Sequence, residues 1–282
     1  VAAGTQDTRF DQFIGIDWSG AAQPGHAGVA VARCAPGRSA PVLVSPPAGA
    51  RHWTRSAVLD WLRGELATGR RLLAGFDFAF ALGGSASRAP ALWAEVEATC
   101  AADDDLLGSR YADGDPRFWS RGPRPADWLG PARPAEAACI AAGLGHPQTP
   151  FQLIGAKQVG KGALAGMRLL DRLHREAADA VAIWPFDSDA GRDRRSVVCE
   201  IYPRLFIRRA GFGNAKLRQR DDLNHVLNAF ASIGLASGSF DDHQCDALVT
   251  AAGLRHLADD PALWAAGHDE PEGWIFGVPR PV

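Results

Sequence analysis

The sequence predicts an α/β protein with a mixed central sheet, flanking helices and one loop-rich insertion. Three observations predict it. Short apolar runs bounded by glycine and turn residues recur early and late in the chain, as in FIGID and GVAVARC. Longer segments between them repeat apolar residues at helical spacing. From about residue 83 to 150 the texture changes to Gly, Pro, Arg and Trp without a steady period. At 282 residues the chain is long for one compact domain and short for two, so one core carrying one insertion is expected over 1–282. Apolar residues make up 46% of it, enough to bury a large core.

Phe13 to Asp17 forms a short buried strand ending in an acid, with Gly15 marking a close backbone approach. Gly28 to Cys34 and Pro41 to Ser45 supply two more strands of a meander with tight turns. Ala57, Val58, Trp61, Leu62 and Leu66 are spaced for a helix, and Thr54 is placed to cap it. The run RLLAGFD, Arg71 to Asp77, is a buried strand parallel to the first, because a helix precedes it. The insertion is expected to hold one helix near Pro90 to Ala101 and long loops, a length that is usually functional or mobile. Order then returns: a helix over Gly160 to Ala178, strands at Val181 to Pro185 and Ser196 to Tyr202, helices over Lys216 to Ile233 and Asp242 to Leu257, and a last short strand at Gly273 to Val278. Three early strands, a helical crossover and a further parallel strand match an RNase H-like topology.

A formal net charge of −2 argues against a polybasic protein that binds nucleic acid through bulk charge, while leaving room for a local basic patch. The five cysteines (Cys34, Cys100, Cys139, Cys199, Cys245) are widely spaced and contain no C-x-x-C pair. Neither a disulfide framework nor a zinc knuckle is implied, and buried free thiols in a reducing cytoplasm are expected. No run of 18 apolar residues predicts a membrane span. The opening VAAGTQDTRF lacks the pattern of a signal peptide, which again points to the cytoplasm. Oligomeric state is left open.

Four acids stand out. Asp17 closes the first strand, Asp77 the strand after the helix, Glu200 lies in the apolar run CEIYPR, and Asp246 lies on the Ala-rich last long helix. Function in open α/β sheets gathers at strand carboxyl ends, and Asp17 and Asp77 share one rim if their strands are adjacent and parallel. Each alone has a structural explanation: a cap, a partner for a buried Arg such as Arg204, or a solvated helix residue. Together they would repel and raise one another's pKa values unless a cation joined them. All-oxygen ligands suit Mg²⁺ or Mn²⁺, and paired ions of this kind hydrolyse phosphodiesters. His243 is three residues before Asp246 and on the same helix face, so it can orient water or touch a phosphate. Asp241 and Asp242 are placed to cap that helix.

The segments FIGIDWSGA, LLAGFDFAFAL, FQLIGAKQVGKGALAGMR, CEIYPR, DDHQCDALVTAAGLR and EGWIFGVP, in that order, resemble domain-of-unknown-function family 429, the predicted RNase H-like nucleases. The likeness runs from about Phe13 to Pro279 and is weakest in the insertion. The pattern His243-x-x-Asp246-Ala-Leu also resembles that of Holliday-junction resolvases. The resemblance implies an RNase H-like fold and metal-dependent phosphodiester cleavage. On it, Asp17 matches the first-strand acid, Asp77 the acid after the fourth strand, Asp246 the last-helix acid, and Glu200 the glutamate of an E-x-x-P signature.

Lys157, in a glycine-rich stretch leading into a helix, is placed to contact a phosphate, or is a solvated lysine in a flexible turn. The stretch is not a P-loop, because Gly162 stands where Ser or Thr would be needed. Arg117, Arg121, Arg124 and Arg133 interleave with Phe118, Trp119 and Trp128, a mixture that grips nucleic acid or pins a loop through buried rings. Arg204, Arg208 and Arg209 make a second basic cluster, either a substrate patch or a helix face.

The expected function is a Mg²⁺- or Mn²⁺-dependent nuclease. Asp17, Asp77, Asp246 and Glu200 would form the metal and catalytic set, with His243 in a catalytic role. Lys157 and Arg204 would face a nucleic-acid substrate. A non-catalytic nucleic-acid or ligand-binding protein on the same scaffold is the alternative. An actin-like ATPase or kinase, which shares the G-I-D strand, is the third; it needs two such domains, and only one G-I-D strand is present.

Overall fold

In the computed structural model, six strands form one sheet in the order β3-β2-β1-β4-β6-β5. Residues 9–23, 25–85, 87–126, 128, 130, 132–155, 158–187, 190, 195–213 and 216–281 are described. The strands are β1 (Gln12–Asp17), β2 (Ala30–Cys34), β3 (Val42–Leu43), β4 (Leu72–Phe76), β5 (Val181–Trp184) and β6 (Ser196–Glu200). The first three pair antiparallel; β1–β4, β4–β6 and β6–β5 pair parallel. The meander and the parallel fourth strand are as the sequence predicted. The third strand is cut to two residues, and its Val42 is exposed at the sheet edge.

Pleating divides the sheet residues between two cores. Ile14, Ile16, Leu72, Ala74, Phe76 and Val198 face α1 (Arg55–Leu66), α2 (Ala89–Thr99) and α4 (Gly160–Glu176). Phe13, Leu73, Val197 and Cys199 face the other way, toward α3 (Pro134–Ala141), α5 (Pro203–Arg209), α6 (Arg220–Ala229), α7 (Asp242–Leu257) and α8 (Pro261–Ala266). Thr54 caps α1 by accepting from the Ala57 amide at 3.1 Å, as its position suggested. Asp241 caps α7 in a capping box with Gln244.

Gly15 explains how α7 lies on the sheet. A Cβ there would sit 2.2 Å from the Ala247 carbonyl oxygen and 2.8 Å from the Ala251 nitrogen. The helix backbone rests directly on the middle of β1.

Three expectations need correction. The helix expected over Lys216 to Ile233 is the shorter α6, which stops where Ala231 turns to a φ of +55°. The expected last strand is a single bridge between Glu200 and Ile275, because Gly273 and Gly277 at φ +78° and +97° bend the chain on either side. The 83–150 insertion carries α2 as expected, but also 3-10 turns at Asp104–Leu106 and Ser109–Ala112, and α3. All five cysteines are buried free thiols. Among the described residues, no helix is long and apolar enough to cross a membrane.

Candidate functional site

Asp17 is the last residue of β1, and the Asp77 amide continues the ladder by donating to the Ile16 carbonyl at 3.0 Å. The two acids therefore stand side by side at one rim of the sheet. Alternation along β1 puts Phe13, Gly15 and Asp17 on the face covered by α7, and along β4 puts Leu73, Gly75 and Asp77 there as well. Because α7 crosses at Gly15, its first turns overhang that rim. His243 Nδ1 and Asp17 Oδ2 are 2.5 Å apart, and Asp246 lies one turn further on.

Three carboxyls in so little water cannot all be charged. Burial, then the nearby charges of Asp17 and Asp246, pushes the Asp77 carboxyl well above its ordinary range. The side-chain hydrogen bond between Asp77 and Asp17 raises the pKa of the first and lowers that of the second. Burial also raises Asp17, against the lowering effect of His243. Asp246 is pushed up to about 7, by burial first and the Asp17 charge second. The hydrogen bond to Asp17 raises His243, so the ring tends to its cationic form. His243 Nε2 has no protein partner among the described residues.

Glu200 is arranged differently. It is buried, and Arg133 holds it by two hydrogen bonds, Nη2 to Oε1 at 2.5 Å and Nη1 to Oε2 at 2.8 Å. The Phe80 amide donates to Oε2 at 2.9 Å. Arg133 is itself wholly buried, and its Nε donates to Glu136 at 3.0 Å. The sequence offers an ion pair with Arg204 or another arginine as the rival to metal binding at Glu200, and the arginine found there is Arg133 of the insertion.

These residues line one cleft of about 590 Å³. Its other walls are the turn after β1, the start of α4 with Lys161 and Gly162, and Tyr202. The turn is tied down twice: the Trp18 ring nitrogen donates to the Gly162 carbonyl at 3.1 Å, and buried Arg55 donates to the Ser19 and Ala21 carbonyls at 2.8 and 3.0 Å.

Other expected contacts fare variously. Lys157 lies outside the described residues. Arg204, on α5, is not part of the cleft lining, although its charge lowers the Asp246 pKa. Of the aromatic–arginine segment, Arg133 is buried on glutamates, Arg117 pairs with Asp115, and Arg124 bonds to the Trp128 carbonyl. Trp128 and Trp119 bond to backbone carbonyls of the same segment. Phe118 of this segment is buried, while Trp119 and Trp128 are half-buried. Sequence reasoning missed Arg133 as the glutamate partner, Arg55, Lys161 and Tyr202. For Arg133 a signal existed: Arg-Pro-x-Glu from Arg133 to Glu136 is a helix start with a proline in the first turn and an acid at the third position.

Among the described residues, no three His, Cys, Asp or Glu side chains already stand as a metal cage. The donor chemistry nonetheless suits a hard divalent cation. Asp17, Asp77 and Asp246 offer only carboxylate oxygens, the ligands such a cation takes, and burial raises all three pKa values, with neighbouring carboxylate charge adding to it at Asp77 and Asp246. No family model, curated protein or solved structure matches the chain.

Proposed function

We propose that this chain is a metal-dependent nuclease of the RNase H-like kind, in keeping with its resemblance to domain-of-unknown-function family 429. One observation carries the reading. Asp17, Asp77 and Asp246, distant in sequence, meet at the floor of one cleft, where burial first and the neighbouring carboxylates second raise the pKa values of Asp77 and Asp246. A mixed six-stranded sheet flanked by helices is compatible with this reading.

A bound Mg²⁺ or Mn²⁺ would polarise a phosphodiester and acidify water. Asp17, Asp77 and Asp246 would hold it. Asp17 also orients the His243 ring through Nδ1, leaving Nε2 for the substrate side. As water attacks phosphorus, the bond to the leaving sugar oxygen breaks. His243 Nε2 gives that oxygen its proton, and the proton lost by the water passes to solvent. Lys161, at the cleft wall, supplies positive charge beside the substrate phosphate. Five buried free thiols suit a reducing compartment such as the cytoplasm.

The test is Asp17→Asn. It should abolish Mn²⁺-dependent cleavage of single- and double-stranded DNA and RNA while leaving Tm unchanged or higher, since a buried charge is removed. Cleavage that survives this substitution, or EDTA, would overturn the reading. Nucleic-acid binding without turnover by the wild type would favour a non-catalytic binding protein instead.

A further inference from the structure

We infer that the cleft takes a single divalent cation, held by Asp17, Asp77 and Asp246, and that Arg133 withholds Glu200 from it. This rests on the metal-dependent reading above and narrows what the sequence suggests: a four-acid set with paired ions becomes a three-acid set serving one.

Strand register supplies the first argument. Ile16 pairs with Phe76, and Phe76 with Glu200, so these three residues share one row across the sheet. Asp17 and Asp77 lie one residue beyond that row. A single step along a strand reverses the direction of the side chain. Ile16 and Phe76 belong to the core beneath α1, α2 and α4. The row therefore directs Glu200 to that side, while Asp17 and Asp77 turn toward α7, where Asp246 and His243 reside. The next residue of the chain, Ile201, is the one that reaches Gly75 on the α7 side.

The second argument is occupancy. Both Glu200 oxygens are bound by the Arg133 guanidinium, and one of them also accepts the Phe80 amide. A two-toothed guanidinium grips the edge of a carboxylate that a metal would use. Arg133 is kept in place by Glu136 and by the Glu272 carbonyl at 3.3 Å, so turning it away would strand several buried groups.

The third is ligand number. Two ions at the spacing used for phosphodiester hydrolysis, roughly 3.5–4 Å, need a bridging carboxylate and further ligands on each side. Three aspartates, one of them bridging, leave one additional carboxylate per ion. Against one ion, the same three supply three carboxylates to a single centre.

The experiment counts ions. Wild-type protein is titrated with Mn²⁺ alone, with bound ions counted by electron paramagnetic resonance and affinity measured by calorimetry. The same is done for Glu200→Gln and Asp77→Asn. One ion per chain is expected. Glu200→Gln should keep that count with a Kd change below about tenfold, the lower edge of outer-shell effects, and Asp77→Asn should weaken binding beyond about a hundredfold. Two ions in the wild type, or loss of the ion in Glu200→Gln, would overturn the inference and leave the metal-dependent reading standing. No ion at millimolar Mn²⁺ would overturn both. Should Glu200→Gln fail to fold, the wild-type count and Mn²⁺ anomalous density in wild-type crystals decide: a peak in contact with Glu200 refutes the inference.

Discussion

Asp246 shows what gathering carboxyls does to single residues. Its carboxyl titrates near 3.8 in an ordinary setting and at about 7 in the folded chain. Between those values the folded state holds a proton that the unfolded state has released. Stability of the metal-free protein therefore falls as pH rises through that window. Asp77, raised in the same direction, adds to the slope. The raised His243 pKa contributes stability that is present at low pH and is lost as pH rises through its folded value, so it works the same way. Asp246→Asn should raise Tm at about pH 8 with little effect at about pH 4, a gain of roughly 1–3 kcal/mol for a partly buried group. Equal effects at both pH values in thermal melts would refute this. Mn²⁺ should reverse the slope, because its ligands bind it deprotonated. At a hundred times its Kd it should add about 2.7 kcal/mol near pH 8, and less near pH 5.

At the scale of elements, the site is made by how α7 crosses β1. The crossing depends on Gly15, whose missing side chain lets the helix backbone touch the strand. Gly15→Ala should lift the helix and cost about 1–3 kcal/mol, the range for overpacking a tight contact. The same shift should part His243 from Asp17. Urea denaturation measures the first effect. The second appears as a fall of the His243 pKa toward 6.5 in histidine NMR titrations. An unchanged His243 titration in a destabilised variant would show that the two residues meet for some other reason. The α4 start and the turn after β1 form the facing wall, joined by the Trp18–Gly162 hydrogen bond.

Across the whole molecule, the 83–150 segment is part of the cleft rather than an ornament on it. Arg133 carries it into the interior and pairs with Glu200 at the end of β6. Asp105 carries another part to Arg55 and His26, which border the turn after β1. Arg133→Met would leave Glu136 and Glu200 buried without their cation, a loss of roughly 3–5 kcal/mol. Equilibrium urea melts give that value. A loss under about 1 kcal/mol would mean that the glutamates find another partner or protonate at little cost.

Much of this was legible in the chain. Apolar period and glycine placement marked β1, β4, α1, α4 and α7, because those patterns are local consequences of burial on one face. Gly15 announced a close backbone approach before any partner was known. Asp17, Asp77 and Asp246 were recognisable as acids in apolar settings. Short α3, α5 and α8 were missed because six to eight residues carry too little periodicity, although each begins with proline in its first turn.

The sequence alone settled which residues are acidic, apolar or able to turn. It could not say that Glu200 sits one step out of register with Asp17 and Asp77, or that Arg133 of the insertion reaches it. Register and long-range ion pairs are set when distant segments pack, and a shift of one residue reverses every side chain on a strand. Only the tertiary structure decided which acids share a face.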